Sequence, residues 1–254
     1  MIFAAGLGTR LKPLTDSMPK ALVPVGGKPL LQHLLEKLKA SGICDVVINV
    51  HHFADMIEQW CKAHPMGMNI RFSDEREQLL ETGGGIKHAA PFLHDAQDGF
   101  LIHNVDILSN VDLRAFAEVA QGRAATLLVS QRKTQRYLLF DDDMRLVGWT
   151  NIATGEVRSP YPLSFDKGKL IIENGHIEKY RAYAFAGIHY MMPNLFSYFT
   201  EFPDKFSIID FYLKVCDKET IYGYVQPGLR LMDVGKIDTL SEAETFVKEV
   251  GNLS

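Results

Sequence analysis

Residues 4–25 read Ala4-Ala5-Gly6-Leu7-Gly8-Thr9-Arg10-Leu11-Lys12-Pro13-Leu14-Thr15-Asp16-Ser17-Met18-Pro19-Lys20-Ala21-Leu22-Val23-Pro24-Val25. The short apolar run Ile2-Phe3-Ala4-Ala5 meets two glycines, the pattern of a buried strand entering a tight turn. Glycine there lets backbone N–H groups come close to a ligand, and clustered N–H groups favour anions. Arg10 adds a fork of donors suited to phosphate oxygens, and Lys20 adds a compact positive charge. A polyphosphate is the expected guest.

Outward from this loop the chain alternates helix and strand patterns. Pro29 to Ala40 is predicted to be a helix with leucines at helical spacing, stopped by Ser41-Gly42. Strands are expected at 46–50, 69–73, 99–104 and 124–130, with helices at 54–63, 84–90 and 113–120. Strands separated by helices imply a parallel sheet with right-handed crossovers, whose ligands sit outside the carboxyl ends of the strands. The expected fold is therefore α/β and Rossmann-like, with Gly6 and Asp106 on one sheet edge. The second half is richer in strands, at 137–140, 146–150, 170–172 and 182–191. Helices follow at 194–200, 208–216 and 239–250. No internal repeat or flexible linker interrupts it, so 1–254 is expected to be a single domain.

Composition sets limits. At 254 residues, with 46% hydrophobic and 23% charged residues, the chain suits a soluble globule with ample core burial. A net charge of −4 argues against a nucleic-acid partner, and no basic run suggests a membrane surface. Cys44, Cys61 and Cys216 are scattered without C-x-x-C spacing, as expected in a reducing compartment. No apolar stretch reaches the roughly 18 residues of a membrane span, and no charged n-region precedes the first apolar run. The expected location is cytoplasmic.

Two familiar phosphate loops fail here. No Gly-Lys-Ser/Thr follows Gly6 or Gly8, which removes the P-loop. The dinucleotide fingerprint breaks at Leu11, and the strand at 46–50 ends in His51-His52 rather than an acidic ribose ligand. The full string instead resembles the signature of sugar-1-phosphate nucleotidyltransferases, A-A-G-x-G-T-R-L-x-P-L-T followed by P-K-x-L-V-P-V. The resemblance implies the nucleotide-diphospho-sugar transferase fold, with residues 1–130 as its nucleotide-binding part. Residues 131–254 would then form a β-rich sugar-binding part and a closing helix. It implies an NTP and a sugar-1-phosphate as partners, with Mg²⁺ as cofactor. Ala5, Gly6, Gly8 and Thr9 would cradle the triphosphate, while Arg10 and Lys20 would be the catalytic cations.

Further residues follow from the same likeness. A lone Asp after a strand is ordinarily a cap or turn, but Asn104-Val105-Asp106 stands where the family has N-G-D, with valine in place of glycine. Asp233 lies in Asp233-Val234-Gly235, similar to the family's D-V-G. Its alternative reading is a helix-capping Asp. Together Asp106 and Asp233 would form an oxygen-rich site suited to Mg²⁺. Leu80-Glu81-Thr82-Gly83-Gly84-Gly85 occupies the position where the family reads the base with main-chain groups. Its E-T-G-G-G form is most similar to that of N-acetylmuramate-1-phosphate uridylyltransferases, which favours UTP and an N-acetylated sugar-1-phosphate. Gly83 and Glu81 would contact the base, with Asn104 beside the nucleotide. For the sugar the likeness suggests Trp149, Asn151, Glu173 and Gly187, although the common E-K-P motif is absent. Mannose-1-phosphate guanylyl, glucose-1-phosphate uridylyl or thymidylyl, and phosphocholine cytidylyl transfer are the alternatives, and a non-catalytic nucleotide sensor is the other class. His51, His52, His103 and His189 are expected to be structural, and Asp141-Asp142-Asp143 a solvated turn.

Overall fold

Parallel strand pairs require crossover helices, and each helix must bury an apolar stripe on the sheet. The computed structural model describes residues 1–163, 175–177 and 179–251. β1 (Ile2–Phe3) leads through the 4–25 loop to α1 (Leu30–Ala40), β2 (Asp45–Val50), α2 (Ala54–Ala63) and β3 (Asn69–Asp74). Next come α3 (Glu81–Leu93), β4 (Phe100–Asn104), β5 (Ile107–Ser109), α4 (Leu113–Ala120) and β6 (Ala125–Ser130). The remainder includes β7 (Arg136–Phe140), β8 (Leu146–Asn151), β9 (Tyr180–Met191), α5 (Ile208–Val215), β10 (Ile221–Tyr224), β11 (Leu231–Asp233) and α6 (Leu240–Gly251), with shorter strands between them.

β3, β2, β1 and β4 are parallel neighbours, with Ile2 in register with Ile48 on one side and His103 on the other. β9 runs antiparallel to β4 and β6, and β10 parallel to β6. The carboxyl ends of β1, β2, β4 and β6 therefore share one edge, the expected binding edge of such a sheet. Neighbouring residues along a strand enter different cores: Val47 and Ile102 join one apolar cluster, Ile48 and Leu101 the other. Both faces of the sheet are thus covered, which explains why these strands read as continuous apolar runs.

Two departures from expectation have local causes. The third helix starts at Glu81 rather than Gly84, because Gly83, Gly84 and Gly85 form its first buried turn. A Cβ at Gly84 would run into the Asp204 carbonyl oxygen, so the glycines permit close packing. The 193–201 segment is a 3₁₀ helix opened by Pro193. The strand expected at 170–172 lies outside the described residues. Asp141 behaves as a turn residue, its Oδ1 accepting from the N–H of Asp143 (3.0 Å) and of Arg145 (2.8 Å) between β7 and β8.

His103 and His189 are 1% exposed, and burial pushes them down to about 4 and about 3. His189 Nδ1 lies 2.6 Å from the Tyr212 hydroxyl, a structural contact far from solvent. The unfolded chain takes up these protons near pH 6.5 while the native state refuses them, so stability falls as pH drops below that point. At pH 5 each histidine is expected to cost about 2 kcal/mol relative to pH 8. Urea unfolding at the two pH values measures this, and His189→Gln should reduce the acid loss by about 2 kcal/mol. An identical loss in the variant would contradict the assignment.

Candidate active site

The 4–25 loop folds back on itself through short-range bonds. Gly8 has φ +63°, where a Cβ would lie 2.9 Å from Thr15 Cγ2. Its carbonyl accepts from the N–H of Leu11 and from the Thr15 hydroxyl, both at 2.8 Å. Leu11, which breaks the dinucleotide pattern, is fully buried with Val23, Val25, Leu108, Val234 and Ala243. Such burial contributes about 2–3 kcal/mol and pins the loop to the segment that carries Asp233.

Asp106 and Asp233 are 127 residues apart in sequence, yet adjacent in the fold. β5 and β11 pair antiparallel with Asp233 opposite Ile107, and the Val234 N–H donates to the Asp106 carbonyl at 2.9 Å. Asp233 is therefore no helix cap. Its Oδ1 is buried and has no hydrogen-bond partner among the described residues. Desolvation and the neighbouring Asp106 push its carboxyl up, opposed by Lys20, Arg10 and Arg132. Lys20, 9% exposed, donates Nζ to Asp106 Oδ2. Gly235 explains the last letter of D-V-G: a Cβ there would stand 2.8 Å from Asp233 Oδ1 and 2.9 Å from Arg10 Nη2. Two hard oxygen donors, held together against their repulsion with one oxygen unpartnered, fit a divalent cation such as Mg²⁺.

A cavity of about 560 Å³ opens beside this pair, lined by Ala5, Gly6, Gly8, Thr9, Arg10, Lys20, Asn104, Asp106 and Gly235 among others. Glu81 and Thr82 border its far side. Glu81 has φ +63°, a strained value for a non-glycine residue at the cavity wall. Gly83 takes a different place from the one expected. Its N–H donates to the Phe206 carbonyl at 2.9 Å, and the Phe206 ring fills the space where a Cβ would stand. Gly83 packs the wall from behind, and Glu81 with Thr82 presents the surface. Val105, in the family's glycine position, turns its side chain into the core with Ile2 and Ile188 and leaves its backbone at the cavity.

On the sugar side the expectations divide. Gly187, with φ +74°, sits at a register shift in β9, and a Cβ there would be 2.7 Å from Asn104 Nδ2. Asn151 ends β8, and its Oδ1 accepts from the Ala153 N–H at 3.0 Å, a turn role away from the cavity lining. Trp149 is buried beneath the Arg158 guanidinium, 4.1 Å from the ring centroid, rather than offered as a sugar platform. Glu173 lies outside the described residues. Sequence reasoning passed over Arg132, whose charge acts on Asp233 and whose Nη2 donates to the Phe185 carbonyl at 3.2 Å. A cation two residues beyond the carboxyl end of β6 was the available signal.

The profile of the nucleotidyl transferase family matches residues 1–138, more than half of the chain. The chain belongs to this family. Over 109 residues it is 48% identical to the N-acetylmuramate alpha-1-phosphate uridylyltransferase of Caulobacter vibrioides, covering 42% of this chain and 44% of that protein. The like-named protein of Neisseria meningitidis is 41% identical over 121 residues, 47% of this chain and 52% of its own length. The chain thus spans about half the length of these curated relatives. In fold it is similar to HddC from Yersinia pseudotuberculosis, solved in complex with GMP-PN. That match has a TM-score of 0.70 and 23% identity, and covers 96% of this chain and 97% of the other. Among the described residues no helix is long and apolar enough to cross a membrane.

Proposed function

We propose that the chain transfers a nucleotidyl group from an NTP to a sugar-1-phosphate, releasing pyrophosphate. The observation that carries this reading is the convergence of the glycine loop, Lys20 and Asp106 on one cavity, with Asp233 held beside Asp106 by the β5–β11 pairing. A phosphate monoester has its second pKa near 6, so the attacking oxygen is already anionic at neutral pH and needs no general base. Alignment and charge neutralisation are then the whole task. Gly6, Gly8 and Thr9 hold the triphosphate, and Arg10 holds the departing pyrophosphate. Lys20 leaves Asp106 and meets the α-phosphate as negative charge builds there. Asp106 and Asp233 would hold Mg²⁺, which when bound screens the repulsion between the two anionic reactants.

UTP and an N-acetylated sugar-1-phosphate, such as N-acetylmuramate-1-phosphate, are the favoured substrates. Both the E-T-G-G-G segment and the names of the two curated relatives support that choice. Asn104 and Gly187, which a Cβ on Gly187 would bring into collision, would stand between the nucleotide and the sugar. Pyrophosphate release from four NTPs against a panel of sugar-1-phosphates and phosphocholine, with product masses, tests the reading. The favoured pair should give the highest kcat/KM. Nucleotide binding without pyrophosphate release for every pair would replace the transferase with a nucleotide sensor.

A further inference from the structure

Asn49 and Glu75 are each 2% exposed, and together they bridge two walls of the cavity. Asn49 Oδ1 accepts from the N–H of Ala4 at 2.7 Å and of Ala5 at 3.3 Å, the residues that enter the glycine loop. Its Nδ2 donates to Glu75 Oε1 at 2.7 Å. Glu75 Oε2 accepts in turn from the Leu80 N–H at 3.2 Å, directly before Glu81 and Thr82. One relay of four hydrogen bonds thus runs from the phosphate loop to the segment facing it. The helix makes room for it: a Cβ at Gly85 would lie 2.8 Å from Glu75 Oε1 and 3.2 Å from Asn49 Nδ2. Apolar residues could fill this volume, but they would leave the buried N–H groups of Ala4, Ala5 and Leu80 without acceptors.

We propose that Asn49 and Glu75 are a positioning pair that sets the span between the triphosphate loop and the Glu81–Thr82 wall. They act through Ala4, Ala5 and Leu80, and tune affinity for the nucleotide rather than for the sugar-1-phosphate. The proposal rests on the transferase reading for its kinetic arm only. Each side chain has a fixed polarity here. Asn49→Asp sets a carboxylate oxygen against Glu75 Oε1, and Glu75→Gln turns an amide N–H₂ toward either Asn49 or Leu80. The exchange variant Asn49→Asp/Glu75→Gln restores every bond. The amide introduced at position 75 donates to the carboxylate introduced at position 49, while its oxygen accepts from the Leu80 N–H.

Steady-state kinetics with UTP and N-acetylmuramate-1-phosphate are measured for the wild type, both single variants and the exchange variant. Each single variant should raise KM for UTP about tenfold, the loss of one buried hydrogen bond. KM for the sugar-1-phosphate should stay within about twofold, and the exchange variant should return to within about threefold of wild type. Hydrogen–deuterium exchange of residues 4–9 and 80–85 needs no activity. Both segments should exchange faster in each single variant and recover in the double. Singles that match wild type in exchange, or a double worse than either single, would overturn the proposal. A wild type that turns over no substrate pair, combined with the expected exchange pattern, would uphold the pair and count against the transferase reading alone.

Discussion

Replacing Lys20 by Ala is expected to lower kcat for NDP-sugar formation about 10²–10³-fold, or about 3–4 kcal/mol of transition-state stabilisation. The side chain is nearly buried between the glycine loop and Asp106, so neither water nor another cation can take its place cheaply. Its compact ammonium meets Asp106 in a nearly buried setting, a geometry that the wider planar fork of Arg does not reproduce. Lys20→Arg should therefore rescue poorly, although it keeps the charge. Removing Lys20 also leaves Asp106 and Asp233 facing each other without their nearest cation, so the metal-free protein should melt earlier. Single-turnover rates at saturating nucleotide separate the chemical loss from weakened binding. Lys20→Ala with a rate within about threefold of wild type would take Lys20 out of the mechanism.

Asp233→Asn should act in opposite directions on activity and stability. Metal-assisted charge neutralisation is worth several kcal/mol, so turnover in Mg²⁺ should fall at least about 10²-fold. A carboxyl whose pKa is raised in the folded state favours folding only while protonated, and that contribution is lost as pH rises through the folded value. Whenever it is ionised, Asp233 is thus a burden on the metal-free fold, through desolvation and the nearness of Asp106. The Asn variant should have a higher melting temperature than wild type without metal, and should lose the upward shift that Mg²⁺ or Mn²⁺ gives the wild type. A variant that keeps the metal-induced shift would show that Asp233 is not a ligand.

The sheet was legible in the sequence because parallel strands buried on both faces read as largely apolar runs, such as Phe100 to Ile102 and Val46 to Ile48. The loop was legible because Gly6, Gly8, Arg10 and Lys20 lie close together along the chain. What escaped was long-range or carried by neutral residues. Asn49 stands out locally only as a polar residue inside an apolar strand and Glu75 not at all, since their meaning arises only when β2, β3 and the start of α3 come together. Gly83 was misplaced for a related reason. Three consecutive glycines suggest an open backbone, whereas here Phe206 and Asp204 occupy the space that missing side chains leave. Arg132 needed the strand order, because only the antiparallel β9 between β4 and β6 puts the ends of both on the same edge.

The ladder that sets Asp233 opposite Ile107 carries a consequence for chain growth. A polypeptide that stops short of Asp233 already has its glycine loop, Lys20 and Asp106, yet it lacks the second acid and the glycine beside which Arg10 meets it. On the proposed function, synthesis of the chain must pass that late stretch before turnover can begin, because until then one carboxylate alone is present to hold a cation.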